Sequence, residues 1–159
     1  MNTAYWKSPL GMLEICEEDD AIISLHFSKF TKETNNTTSP TINNTINQLS
    51  EYFNGTRKDF DIQTNPIGTK FQLRVWQELQ KIPYGKTKSY QDIANNIGNI
   101  KACRAVGMAN NKNPIAIIIP CHRVIGKNGT LTGYASGLET KEKLLTLEKN
   151  NLSNLTISV

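Results

Sequence analysis

The sequence predicts a two-part chain: a small, strand-rich α/β part at the amino terminus, followed by a mostly helical part containing a helix-turn-helix. Three observations predict it. Short β-type runs broken by turn residues fill the first thirty positions, capped apolar stripes of helical period recur after Thr69, and no chemically suggestive constellation precedes Gly68.

Ser8-Pro9-Leu10-Gly11 reads as a turn, Met12 to Cys16 as a strand, Glu17 to Asp20 as an acidic turn and Ala21 to Phe27 as a second strand. Lys32 to Asn47, dense in Thr and Asn, reads as a polar loop passing into a helix that ends near Tyr52-Phe53-Asn54-Gly55. The extended stretch from Asp59 to Ile67 is the expected boundary, giving a supporting domain over 1–66, a second domain over 67–150 and a tail over 151–159. Thr69 and Gln72 form a capping box ahead of a stripe of Phe71, Val75 and Leu79 with Trp76 alongside, and the helix stops before Pro83-Tyr84-Gly85. Ser89 caps a second helix whose Tyr90, Ile93, Ala94 and Ile97 share a face, and Gly98 suits its left-handed end. Asn99 is placed to cap a third helix to about Asn110, in which Ala102, Ala105, Gly107 and Ala109 are small and Arg104 is the long cation. By pattern alone those small residues fit close helix packing in the core.

The chain has 159 residues, 38% of them hydrophobic, and a net charge of +4, which is compatible with nucleic acid without requiring it. Its longest apolar run, Ile115 to Ile119, is far short of the roughly 20 residues that cross a bilayer. The start shows no secretory pattern, so a cytoplasmic protein is expected. Cys16, Cys103 and Cys121 form no even set, and with His26 and His122 they match no zinc spacing, so no metal is expected.

Pro120-Cys121-His122-Arg123-Val124 closes that apolar run and sets a thiol beside an imidazole. A thiol attacks as its thiolate, and a nearby base or positive charge helps to populate that form. Around it, in order, stand Arg104-Ala105-Val106-Gly107, Asn113-Pro114, Ile125-Gly126, Gly133-Tyr134 and Gly137-Leu138, then Lys141, Leu144-Leu145 and Glu148. From Gly68 to Glu148 this series resembles the O6-alkylguanine-DNA alkyltransferases, also called methylated-DNA–protein-cysteine methyltransferases.

The resemblance implies a ribonuclease-H-like amino-terminal domain and a winged helix-turn-helix domain. It implies a monomer, without cofactor, that binds the minor groove of duplex DNA and rotates O6-alkylguanine, and O4-alkylthymine, out of the stack. The alkyl group would pass irreversibly to Cys121, once per molecule. His122 would act as base through a water, Glu148 would orient it, and Asn113 would tie the helix-turn-helix to the active-site turn. Tyr90 would crowd the phosphate and offer its hydroxyl to the guanine ring nitrogen. Arg104 would fill the vacated space, with Ala102, Ala105 and Gly107 against the groove. Tyr134 would wall the alkyl pocket, the carbonyls of Cys121 and Val124 would accept the guanine amino group, and the amide of Ala135 would face the substituted oxygen.

Ala135 is a mild departure from the family pattern. Ser136 stands where glycine is common and would narrow the pocket, and Met108 and Cys103 stand where small residues are usual. Rival readings are a damage sensor without chemistry, which would lack the acceptor cysteine, a winged-helix regulator, and a thiol hydrolase that turns over.

Overall fold

The computed structural model describes residues 1–29 and 39–157. The chain divides into two compact units, Met1–Ile67 and Gly68–Val159.

The first unit is an antiparallel meander of β1 (Asn2–Ser8), β2 (Gly11–Glu18) and β3 (Ala21–Phe27), with α1 (Pro40–Phe53) packed against it. The span of β3 is the expected one, whereas β1 was not read from the sequence as a strand. Ser8 pairs with Gly11 across the Pro9-Leu10 turn. Asp19 and Asp20 both take positive φ, 52° and 64°, the geometry whose twist suits a two-residue hairpin. Alternation sends Leu13, Ile15 and Leu25 inward, and a register shift that skips Ile23 brings Ile22 into the same core with Ile42, Leu49 and Tyr52 of α1.

Helix α1 starts well before the expected end of the polar loop, because Ser39 caps it by accepting from the Ile42 amide and Pro40 opens it. The Thr and Asn residues from Thr41 to Asn47 are therefore helical, and residues 32–38 of the expected loop lie outside the described residues. Gln48 pins the extended segment by pairing with both the amide and the carbonyl of Asp61, at 2.8 and 3.0 Å.

The second unit runs through α2 (Lys70–Leu79), β4 (Lys88–Ser89), α3 (Tyr90–Asn96), α4 (Cys103–Asn111), a 3-10 turn (Cys121–Arg123), β5 (Val124–Ile125) and α5 (Leu138–Ile157). The expected Thr69–Gln72 box forms, and Ser89, the expected cap, completes a second box with Asp92. Trp76 ties α2 to α4 by donating to the Ala109 carbonyl at 2.8 Å, and its ring lies where any side chain at Gly68 would collide with it. Gly98 takes φ +79° at the end of α3, as expected.

One expectation fails here. Asn99 does not cap α4, which begins only at Cys103, after a turn in which the Ala102 amide donates to the Asn99 carbonyl. Helix α5 runs through residue 150 to Ile157. Strands β4 and β5 pair in parallel and bring the start of α3 beside the end of the 3-10 turn. No helix among the described residues is long and apolar enough to cross a membrane.

Candidate active site

The apolar run Ile115 to Ile119 folds as a tight turn. Ile117 sits at φ +71°, a conformation that a β-branched residue adopts only when its surroundings impose it. Asn113 supplies that constraint. Its Nδ2 donates to the carbonyls of Ile119 at 2.7 Å and Ile115 at 3.3 Å, while its Oδ1 accepts from the Ile115 amide at 3.0 Å. The turn delivers Cys121 into the 3-10 turn, where the Cys121 carbonyl accepts from the Val124 amide and from Asn110 Nδ2 at 3.3 Å. The carbonyl expected to receive a guanine amino group thus already has donors.

Cys121, His122 and Glu148 are all buried. Glu148 projects from α5 and its Oε2 lies 2.5 Å from His122 Nε2. The same carboxylate accepts from Arg123 Nε at 2.8 Å, from Arg123 Nη2 at 3.1 Å and from the Gly85 amide at 3.1 Å. Arg123 also donates to the Ile82 carbonyl at 2.7 Å and stands over the Tyr84 ring.

Burial pushes the Cys121 thiol above its ordinary value, opposed by a hydrogen bond from Asn113 and the charge of Lys141. Positive surroundings therefore do not leave it a resting thiolate, and its proton needs an acceptor. Burial also lowers His122, against the pull of Glu148, so the imidazole rests neutral. For Glu148, burial acts to raise the carboxyl, but His122 and then Arg123 outweigh it and hold the group down to about 2. With Nε2 committed to Glu148, His122 Nδ1 is a buried ring nitrogen without a hydrogen-bond partner among the described residues.

Tyr90, half-buried at the start of α3, donates its hydroxyl to the Thr132 carbonyl at 2.9 Å. Tyr134 is buried, and its hydroxyl has no partner among the described residues. A groove of about 460 Å³ opens beside α4, lined by Tyr90, Cys103, Arg104, Gly107, Met108 and Gly133 among others. Arg104, Ala105 and Met108 are exposed, whereas Ala102 is buried at the helix start and does not reach the open face. Among the described residues no cluster of His, Cys, Asp and Glu is suited to a metal.

Most of the chain agrees with one family in two successive matches. Residues 1–66 match the 6-O-methylguanine DNA methyltransferase ribonuclease-like domain, and residues 70–150 match the DNA-binding domain of the same proteins. The chain belongs to the 6-O-methylguanine DNA methyltransferase family. A methylated-DNA–protein-cysteine methyltransferase of Methanosarcina acetivorans is 50% identical, over 93% of this chain and 98% of that one. The constitutive enzyme of Bacillus subtilis is 46% identical over 90% and 92%. The O6-methylguanine methyltransferase of Mycobacterium tuberculosis superposes with a TM-score of 0.86 at 42% identity, covering 94% and 93%. A Mycobacterium tuberculosis structure in complex with DNA gives 0.84 at 45% identity, covering 92% of each chain. The predicted fold class, a ribonuclease-like domain followed by a DNA-binding domain, is that of this family.

Within the methyltransferase frame, the structure gathers Cys121, His122, Glu148 and Asn113 around one turn, and sets Tyr90, Arg104 and Gly107 along one groove. Val124 is buried in β5 and Ala135 is exposed in the loop after Tyr134. Sequence reasoning gave no role to Arg123 and Lys141, though both stand in the motif series, and none to Asn110. Arg123 could have been suspected, because an arginine inside an apolar turn needs a carboxylate and Glu148 was already in view.

Proposed function

We propose that this chain repairs DNA by taking the alkyl group of O6-alkylguanine onto its own Cys121, once per molecule. The observation that carries the reading is the buried His122–Glu148 pair, 2.5 Å apart, next to a buried thiol in the same turn. Glu148 accepts the Nε2 proton and so makes Nδ1 the basic atom of the ring. Nδ1 takes the Cys121 proton through a bridging water, and Glu148 stabilises the imidazolium that results.

The thiolate attacks the alkyl carbon, the bond from that carbon to the guanine oxygen breaks, and its electron pair stays with guanine. Tyr90 turns its hydroxyl from Thr132 to a ring nitrogen of the departing base and offsets the charge left there. A thioether remains. No step removes its carbon, and because sulfur is the acceptor no cofactor is required. The same displacement extends to O4-alkylthymine.

The reacting atom lies on a base edge inside the duplex, so the nucleotide must leave the stack. Ala105 and Gly107 give α4 a slim surface for the minor groove, where readout is degenerate, as suits a protein acting at any guanine. Arg104, exposed on that helix, fills the space the base leaves. Tyr134, Ala135 and Ser136 shape the alkyl pocket, and Ser136 disfavours bulky groups. The protein acts as a monomer in the cytoplasm.

The test is loss of O6-methylguanine from duplex DNA, measured by nucleoside chromatography, with Cys121→Ser alongside. Loss with the wild type and none with the variant is expected. Tight binding without loss would make the chain a damage sensor, and loss continuing far beyond the amount of protein would make it a hydrolase.

A further inference from the structure

The inward face of α5 carries Lys141, Leu144 and Glu148, all fully buried, and the chemistry above uses only the last. Lys141 forms no ion pair among the described residues. Burying an ammonium without a counter-ion is costly, and an apolar side chain would fill the same space without that cost. What the lysine does touch is specific. Its Nζ donates to the Thr132 carbonyl at 2.8 Å and stands over the Tyr90 ring, 5.9 Å from the centroid. The same carbonyl accepts the Tyr90 hydroxyl at 2.9 Å, and Gly133, with φ +57°, turns the chain immediately after it.

Under the function proposed above, on which this inference rests, Tyr90 must withdraw its hydroxyl from that carbonyl to serve the departing base. Left alone, the carbonyl would give up a protein hydrogen bond as the hydroxyl turns away, which opposes the switch. Lys141 keeps it paired throughout. A cation on the face of a phenol ring also draws electron density from the hydroxyl and makes it a stronger donor.

We propose that Lys141 is a positioning residue for alkyl transfer: it holds the Thr132 carbonyl and the Tyr90 ring so that the Tyr90 hydroxyl is free to serve the departing guanine. The groups facing its ammonium are Tyr90 from α3, Cys121 and His122 from the 3-10 turn, and the Thr132 carbonyl from the loop. Burial lowers Lys141 from its ordinary 10.5 to about 8, with Cys121 acting in the opposite direction. The cation is therefore present at neutral pH and is lost as the pH rises through about 8.

The experiment measures single-turnover transfer from O6-methylguanine duplex DNA between pH 6.5 and 9, for the full chain and for Lys141→Met, Lys141→Arg, Tyr90→Phe and the Tyr90→Phe/Lys141→Met double variant. Lys141→Met is expected to slow transfer about tenfold at pH 7 but less than about twofold at pH 9, where the wild type has lost its own charge. Lys141→Arg restores most of the rate at pH 7 and gains on the wild type above pH 8. In the Tyr90→Phe background, Lys141→Met adds less than about twofold, since its effect runs through the missing hydroxyl. A loss of equal size at every pH, or losses that multiply in the double variant, would overturn the proposal. If Lys141→Met does not fold, a wild-type to Lys141→Arg ratio that stays constant across pH overturns it instead. Transfer that survives Cys121→Ser would fault the underlying reaction and not the lysine.

Discussion

Replacing Glu148 by Gln changes one atom and should cost both stability and speed. Glu148 Oε2 accepts from His122 and from Arg123 Nη2, and Oε1 accepts from Arg123 Nε and the Gly85 amide. An amide in that place turns one of the oxygens into a donor that faces donors, and it leaves the buried Arg123 without a counter-charge. Lowering the carboxyl from 4.5 to about 2 corresponds to about 3 kcal/mol, at about 1.4 kcal/mol for each tenfold change in proton affinity. Part of that assumes a charged His122, whose own burial keeps it neutral, so less than that figure is secured at pH 7, by Arg123 and the neutral imidazole N–H together. Because the folded carboxyl is the stronger acid, this stability is present above about pH 4.5 and drains away as the pH falls toward 2. Urea unfolding of the two proteins at pH 7 and at pH 3 measures it directly. The gap should be about 2 to 3 kcal/mol at pH 7 and shrink at pH 3, and single-turnover transfer should fall about 10²-fold as His122 loses its orienting partner. A gap below about 1 kcal/mol at pH 7, with no change toward acid, would refute the reasoning.

Asn113→Ala takes one donor each from the carbonyls of Ile115 and Ile119, leaves the Ile115 amide without its acceptor and releases the turn that holds Ile117 at φ +71°, so it should destabilise by about 2 kcal/mol and slow transfer at least about tenfold, read by unfolding and by the transfer rate. Tyr134→Phe removes a buried hydroxyl without a partner among the described residues and should leave stability unchanged or raise it by up to about 1 kcal/mol; a clear loss in thermal unfolding would show that the hydroxyl is bonded. Arg104→Ala should slow transfer from duplex DNA about 10²-fold and transfer from free O6-benzylguanine hardly at all, and equal losses on the two substrates would remove Arg104 from the extrusion step.

The features visible in the sequence were those whose causes lie within a few residues. The Thr69–Gln72 box, the Ser89 cap, the left-handed Gly98 and the span of β3 all follow from local patterns, and all are present. The start of α1 was hidden because Thr and Asn favour loops by composition, while the burial of Ile42 and Leu49 against the sheet decides otherwise. Asn99 looked like a cap because cap residues are common at such sites, yet α4 starts at Cys103 with no side-chain cap. Cys121, His122, Glu148 and Asn113 could be picked out through the family resemblance, and the structure brings them together. Arg123 could have been suspected of needing a carboxylate, but the full set of contacts of Arg123 and Lys141 needed coordinates. Their partners are the Ile82 carbonyl, Glu148, the Thr132 carbonyl and the Tyr90 ring, which only the folded chain brings within reach.

The most direct test of the central claim is a count of transferred methyl groups. Purified protein is mixed with excess duplex DNA carrying radiolabelled O6-methylguanine, and label is counted on the intact chain and on the peptide that contains Cys121. A plateau near one label per molecule is expected, all of it on that peptide. Label on a peptide without Cys121, label released into solution with continuing turnover, or binding without any transfer would contradict it.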